Sequence, residues 1–238
     1  MAQYTFSMPQ TFAVSAVLIA VTAVLTASGA RRQKTLPFCA DGGHKAAPAR
    51  LLPVDEASRQ PEFFTFRARL QAAVAAKDLD AVVAASDPNI KLGFGGEDGT
   101  ALLRENLSKP KSDGLWKEIA RVLALGGAFR GPSTFHAPYV SSNWPDGADS
   151  FECAAIIGGN VIVRRDPAPD AAVVTRTSYS IVRVLSNRPG FDDWGHIRLS
   201  NGQEGFVRND FLMGATGLRA IFALTNGQWR MESLVAGD

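Results

Sequence analysis

The chain has 238 residues, of which 46% are hydrophobic and 20% are charged, a composition typical of a folded protein. Its 25 basic and 23 acidic residues are spread along the chain and give a formal net charge of +2, which excludes the clustered basic face of a nucleic-acid-binding protein. No zinc-protease helix, nucleophile elbow, phosphate-binding loop or dinucleotide-binding glycine motif occurs, so the sequence predicts neither an enzyme nor a cofactor or metal site.

Residues 1–30 contain no Lys, Arg, Asp or Glu, and their apolar run at 12–25 is followed by small residues. This pattern is typical of a signal peptide cleaved near Gly29 or Ala30, which predicts export to the periplasm or the cell exterior. Basic residues follow directly at 31–34, so an uncleaved anchor in the inner membrane, formed by residues 11–28, is the first alternative. A buried core helix is the second. Membrane contact is expected only through this segment, and only if it is not cleaved.

The chain has two cysteines, Cys39 and Cys153. In an oxidising compartment, a single disulfide between them is their expected fate. This bond would tie the segment after the signal to the region that precedes residue 155, and would stabilise the fold by about 4–5 kcal/mol on the chain-entropy account. The alternative is two unrelated thiols, one buried and one in a linker.

Residues 31–60 carry prolines, glycines and mixed charge without apolar periodicity, which predicts a linker. Beyond it, apolar residues recur at spacings of three and four, which predicts four helices that start at Pro61 and Leu115 or follow caps at Asp78 and Thr100. A turn at 86–89 is expected to end the second helix. After Ala128 the chain loses its helical period, so strands and ordered loops are predicted there. Trp116 and Trp229 each lie on an apolar stripe and are predicted to be core residues.

A small antiparallel sheet is predicted beside these helices. Apolar residues alternate at 90–94 as they do in a half-buried strand. Near the C-terminus, Asn226 and Gly227 separate two strand-like runs, and this dipeptide is the strongest short-range signal of a β-hairpin. Because unpaired strands need partners, we expect the hairpin at 217–238 to pair with the earlier strand and to complete an α+β domain over 61–150.

The region from 160 to 212 contains about five strand-like runs separated by turn residues. Its motifs, in chain order, are NVIVR at 160–164, VV at 173–174, IVRVL at 181–185, WGHIRL at 194–199 and GFV at 205–207. Their order and spacing resemble a bacterial SH3-type (SH3b) domain of the cell envelope, with Phe206 where that family usually has Trp. The resemblance implies an SH3-like small β-barrel over 155–213. The whole chain is therefore expected to be α+β, with a helical and mixed domain, a small antiparallel sheet and this barrel.

The same resemblance implies a non-catalytic binding module that engages cell-wall peptidoglycan or its peptides. Trp194, His196 and Arg198 alternate along one strand and are expected on one face. Aromatic and arginine side chains dominate the binding energy of interfaces. The expected ligand-binding residues are therefore Tyr179, Trp194, Arg198 and Phe206. The alternative is that Trp194 packs inside the barrel while His196 and Arg198 are only solvated.

Two other functions stay open on the sequence alone. One is an envelope adaptor whose α+β domain holds a protein partner while the barrel only spaces it. The other is a cell-wall hydrolase with its site in the α+β domain, for instance around His136 and Tyr139. The expected partner is thus peptidoglycan or an envelope protein.

Overall fold

The computed structural model describes residues 50–96, 98–146, 148–186 and 193–237. All of them belong to one compact unit, Thr35–Asp238. The predicted signal peptide or anchor, most of the predicted linker and Cys39 lie outside the described residues. Within the described ranges, no helix is both long enough and apolar enough to cross a membrane.

The four predicted helices are confirmed, and a fifth, unpredicted one is a single turn. They are α1 (Pro61–Ala75), α2 (Leu79–Ala84), α3 (Thr100–Ser108), α4 (Asp113–Ala124) and α5 (Tyr139–Ser142). Asp78 caps α2 by accepting a hydrogen bond from the Ala81 N–H at 3.0 Å. Thr100 does not cap α3, because it is the first helical residue and Gly99 is the cap. The α5 turn lies in the stretch predicted as strands and loops, because four residues are too few to show a helical period.

The described strands form two sheets, which gives the expected α+β class. They are β1 (Ser86–Lys91), β2 (Ala128–Phe129), β3 (Thr134–Ala137), β4 (Cys153–Ile156), β5 (Val161–Arg164), β6 (Val173–Thr177), β7 (Ile181–Ser186), β8 (Trp194–Arg198), β9 (Glu204–Arg208), β10 (Leu212–Gly214), β11 (Arg219–Thr225) and β12 (Gln228–Val235). The first sheet has the strand order β1-β12-β11-β3-β2, and the second has the order β10-β4-β7-β8-β9-β5-β6. The β1–β12 pair is parallel, and the other ladders between these strands are antiparallel.

The first sheet contains the predicted hairpin. Strands β11 and β12 meet at Asn226 and Gly227, whose φ angles of 51° and 75° lie in the left-handed region that a two-residue hairpin turn requires. Strand β12 then pairs with β1, so the hairpin joins an earlier strand as expected, although that strand covers Ser86–Lys91 rather than the predicted 90–94. The parallel direction of this pair makes the sheet mixed rather than antiparallel.

The position of β1 corrects the predicted turn at 86–89. These residues belong to the strand, which begins at Ser86 directly after α2 and its cap residue. The Met231 N–H donates to the backbone oxygen of Ala85 at 2.9 Å and so draws the chain into the sheet at this point. Pro88 is tolerated because β1 is an edge strand, where a missing N–H breaks no ladder.

The second sheet holds the SH3-like region but does not close into a barrel. It ends at β6 on one edge and at β10 on the other, and no ladder joins these edges in the described residues. One face covers a small core of aliphatic side chains, namely Ile156, Val161, Val163, Val182, Ile197 and Val207. Strands β4 and β10 extend the sheet beyond the strands that carry the SH3-like motifs. The predicted closed barrel is therefore not confirmed.

A larger core joins the helices to the first sheet. Phe63 on α1 is fully buried, and its ring centroid lies 4.3 Å from that of Phe135 on β3 and 4.8 Å from that of Trp229 on β12. Trp116 on α4 is buried in the same core, so both tryptophans predicted as core residues are confirmed. Ile181 of the second sheet also belongs to this core, which links the two sheets through apolar contacts.

One half of the predicted disulfide, Cys153, lies within the described residues. Cys153 lies on β4, is buried, and is disulfide-bonded. Its predicted partner, Cys39, lies outside the described residues, so the pairing stays a prediction.

Candidate ligand-binding groove

Strand register sets which side chains of the second sheet point away from its small core. The facing pairs are Trp194 with Arg208, His196 with Phe206, Arg198 with Glu204, Arg164 with Phe206, and Ile162 with Arg176. Val163, Ile197 and Val207 alternate with these residues along the strands and lie in the small core. The paired residues therefore lie on the opposite face, which we call the outer face.

A groove of about 480 Å³ is formed on the outer face, and we call it the sheet groove. Its walls combine apolar and cationic side chains, namely Ile162, Pro169, Trp194, Phe211, Arg164, Arg176 and Arg208. Asp210 adds one carboxylate at the edge. Small-molecule sites typically have volumes of about 300–1,000 Å³, so the groove is large enough for a short peptide or a sugar fragment.

Trp194 forms the aromatic wall of the sheet groove, and the guanidinium group of Arg208 lies over its ring. Trp194 is 8% exposed, and the guanidinium carbon of Arg208 lies 5.7 Å from its ring centroid. Arg208 also forms ion pairs with Asp210 at 3.4 Å and with Asp193 at 3.8 Å. A cation over an aromatic face is worth about 0.5–1 kcal/mol at an exposed site. The charge of Arg208 is therefore shared between the ring of Trp194 and two carboxylates.

The other two arginines of the groove have no carboxylate partner among the described residues. The Nη1 of Arg164 donates to the backbone oxygen of Ala171 at 2.6 Å, which ties β5 to the loop before β6. Arg176 is exposed on β6, and it forms no ion pair with the part of the chain that the structure describes. The groove therefore carries uncompensated positive charge on one side.

Arg121 on α4 fixes the remaining wall. Its Nη2 donates to the backbone oxygens of Leu212 at 2.6 Å, Asp210 at 3.2 Å and Asn209 at 3.4 Å. These oxygens belong to the short 3-10 turn Asn209–Phe211 and the start of β10. Because Asp210 and Phe211 line the sheet groove, the helical part of the molecule holds one wall of the site.

The four residues predicted to bind ligand share one region but not one site. Trp194 lines the sheet groove. Phe206 lies on the outer face and stacks on His196, with ring centroids 4.6 Å apart, while Arg198 pairs with Glu204 at 2.8 Å. Both lie on the outer face outside the groove. Tyr179 lies between β6 and β7, and its hydroxyl is close to Gly159 at the end of the groove.

Sequence reasoning missed the groove arginines and Ile162. Arg164, Arg176 and Arg208 lie on three different strands, and no local motif connects them. The one available signal was the period-two alternation of VIVR at 161–164, which places Ile162 and Arg164 on one side of β5. Only strand pairing reveals that the other two arginines reach the same place.

The alternative catalytic pair, His136 and Tyr139, lies apart from the sheet groove. Burial lowers the pKa of His136, and the positive charges of Arg130 and Arg219 lower it further. Burial raises the pKa of Tyr139 to about 12, and its hydroxyl has no hydrogen-bond partner among the described residues. A fully buried phenol cannot reach a polymeric substrate. Within the described ranges, no cluster of three or more His, Cys, Asp or Glu side chains could hold a metal ion.

No protein-family model, no curated protein and no solved structure matches this chain. What the groove binds therefore has to follow from its own chemistry.

Proposed function

We propose that this chain is an exported, non-catalytic binding protein of the cell envelope. In this proposal the outer face of the second sheet binds cell-wall peptidoglycan or its peptides. The observation that carries the proposal is the sheet groove, where the ring of Trp194 and the side chain of Ile162 lie beside three arginines. Tryptophan and arginine are the residues that most often dominate binding energy, which favours a binding role for this surface.

The SH3-like assignment supports the same function. Strands β5 to β9 carry the motifs that resemble a bacterial SH3-type domain, and they supply most side chains of the small aliphatic core. We propose that these strands form an SH3-like module, although the sheet they belong to stays open. Modules of this kind are attached to envelope proteins, and the apolar segment at 12–25 supports export of this chain.

The chemistry of the groove favours binding over catalysis. Asp210 is its carboxylate, and Lys117 and Arg208 lie within 3.5 Å and 3.4 Å of it. Burial raises the pKa of Asp210, but the two positive charges and their hydrogen bonds outweigh burial and lower the pKa below its ordinary value. Asp210 therefore stays ionised at neutral pH and is a poor general acid, because a catalytic acid needs a pKa near the working pH.

The test is co-sedimentation of residues 31–238 with insoluble peptidoglycan, followed by analysis of both the pellet and any released fragments. The first variant, Trp194→Ala, removes the aromatic ring from the sheet groove. The second, Ile162→Asp, places a negative charge inside it. The control is Phe64→Asp, which places the same charge on an exposed site of α1. We expect the wild type and the control in the pellet without released fragments. Both groove variants should stay in the supernatant while keeping a folded circular dichroism spectrum.

Other outcomes favour the competing functions. Wild-type protein that stays in the supernatant contradicts the proposal. Fragment release by the wild type that is lost in His136→Ala supports a hydrolase instead.

The adaptor function is a second candidate because the helical part has a groove of its own. This groove, of about 650 Å³, lies between α1, α2 and the β11–β12 turn and is lined by Phe66, Leu70, Ala81 and Trp229 among others. An envelope protein captured by the full chain would support an adaptor if Ala81→Glu abolishes capture and Trp194→Ala does not. The opposite pattern would assign that partner to the sheet groove.

A further inference from the structure

We infer that the sheet groove recognises a carboxylate of its ligand, and that Arg176 and Arg164 supply the guanidinium groups that pair with it. The inference rests on the proposed function, because it names the chemistry of the ligand at the same site. It commits to a peptide whose free carboxylate lies next to a small apolar side chain.

The charge distribution within the groove separates the three arginines. Arg208 is already engaged by Asp210 and Asp193 and by the ring of Trp194. Arg164 and Arg176 have no such partner among the described residues. A ligand carboxylate would therefore be attracted to the β5–β6 side of the groove and away from the acidic residues beside Arg208.

Strand geometry brings Arg164 and Arg176 together. Ile162 on β5 faces Arg176 on β6, and Arg164 lies two residues further along β5. The β5–β6 ladder shifts its register between Val163 and Arg164, so that Arg164 pairs with Val173, and both arginines line the sheet groove. Arg164 uses one N–H to hold the Ala171 oxygen, which leaves other guanidinium donors available in a fixed orientation.

The apolar side of the groove defines the rest of the ligand. Trp194 and Ile162 line the same space as the two arginines, so a small apolar group beside the carboxylate would be removed from water there. The stem peptides of peptidoglycan combine alanine side chains with free carboxylates. A neutral glycan chain has no group that would use the two guanidinium groups.

The experiment is calorimetric titration of residues 31–238 with a purified disaccharide-tetrapeptide fragment of peptidoglycan. A second titration uses the same fragment after its carboxylates have been converted to amides, and a third uses the free-acid tetrapeptide without sugar. Arg176→Gln is the main variant, because Arg176 is exposed and its side chain forms no hydrogen bond or ion pair with the residues that the structure describes. Arg164→Gln is the second variant. The control is Arg104→Gln, which removes the same charge from an exposed position of α3.

We expect the free-acid probes to bind the wild type and Arg104→Gln equally. Amidation or Arg176→Gln should each weaken binding about tenfold, as the loss of one charge-assisted hydrogen bond predicts, and high salt should weaken binding in the same direction. Amidation should have little further effect in Arg176→Gln, because the two changes remove the same contact.

The outcomes separate this inference from the proposed function. If the chain pellets with peptidoglycan but binds free-acid and amidated fragments equally, the carboxylate inference fails and the proposed function stands. If the free-acid tetrapeptide binds with the expected dependence on Arg176 but the chain does not pellet, the inference stands and peptidoglycan is not the target. Absence of binding in every titration and in the pellet contradicts both.

Discussion

Arg67 on α1 carries a positive charge into the interior, and Asp55 neutralises it through two hydrogen bonds. The Nη1–Oδ1 distance is 2.8 Å and the Nη2–Oδ2 distance is 2.6 Å. The side chain of Arg67 is 6% exposed, whereas that of Asp55 is 47% exposed. Removing the carboxylate would leave a buried guanidinium without its counter-charge, and this is more costly than losing an exposed ion pair.

Substitution Asp55→Asn should therefore destabilise the fold by about 3 kcal/mol, the low end for breaking a buried pair, because an amide keeps part of the hydrogen bonding. The matched control is Glu105→Gln, which makes the same chemical change in an exposed pair with Lys109. The control change should lower the free energy of unfolding by about 0.5 kcal/mol or less. Urea denaturation of both variants measures the difference, and equal losses would contradict a structural role for the Asp55–Arg67 pair.

The same carboxylate should make stability depend on pH. Burial raises the pKa of Asp55, but the hydrogen bonds from Arg67 and the Ala57 N–H, with the charge of Arg67, lower it below the ordinary value of 3.8. A carboxyl with a lowered folded-state pKa stabilises the fold above its unfolded pKa and loses this contribution as the pH falls through the folded value. The difference in the free energy of unfolding between the wild type and Asp55→Asn should therefore become smaller as the pH falls below 3.8. Urea titrations over this range test it, and a constant gap would contradict the assignment.

At the same scale, the sequence predicted one residue of the candidate groove and missed most others. Trp194 was expected to bind ligand, and it lines the groove. Phe206 and Arg198 were expected to bind ligand with it, and they lie on the same outer face but outside the groove, where Phe206 stacks on His196 and Arg198 pairs with Glu204. Residue type alone marked these side chains as candidates. Residue type could not show which of them line the groove, because side chains from several strands form it.

At the scale of elements, the end of α4 shows how a local signal and a tertiary contact coincide. Gly126 has a φ of +67°, the left-handed conformation in which glycine ends helices. A Cβ at this position would lie 2.5 Å from the backbone oxygen of Val54, which accepts a hydrogen bond from the Gly127 N–H at 2.9 Å. The glycine therefore ends the helix and also lets the segment before α1 pass close to it.

Gly126→Ala should destabilise the fold by about 2–5 kcal/mol, because it adds left-handed strain of about 1–2 kcal/mol to an overpacking cost of about 1–3 kcal/mol. Gly114→Ala is the matched control inside α4, where a Cβ would meet no atom within 4 Å. This control should be neutral or stabilise by up to about 1 kcal/mol. In thermal melts, Gly126→Ala should lower the melting temperature strongly, whereas Gly114→Ala should leave it unchanged or raise it. A small and similar change in both variants would contradict the close approach of Val54 to Gly126.

The predicted elements were those with strong local signals. Proline at a helix start, the Asp78 cap and the Asn226-Gly227 turn each act within a few residues, so α1, α2 and the last hairpin could be located from the sequence. The start of β1 could not, because Pro88 disfavours a strand unless the strand lies at a sheet edge. The open second sheet was also missed, because β4 and β10 join it through pairing distant in sequence.

At the scale of the whole molecule, the candidate groove depends on both parts of the fold. Its floor comes from β5, β6, β8 and β9, whose outward side chains meet only when the sheet is assembled. One wall is held by Arg121 from α4, so the helical part contributes to the site without lining it. The fold class followed from the sequence, whereas this connection between the two parts did not.

The most direct test of the binding site is an NMR titration that observes the tryptophan indole N–H groups of residues 31–238. The chain has four tryptophans, and only Trp194 lines the sheet groove, while Trp116 and Trp229 lie in the larger core. Trp194→Phe would assign the reporting signal. We expect soluble peptidoglycan fragments to shift the Trp194 signal and to leave those of Trp116 and Trp229 in place. A Trp194 signal that stays unchanged at saturating fragment would contradict binding in the sheet groove.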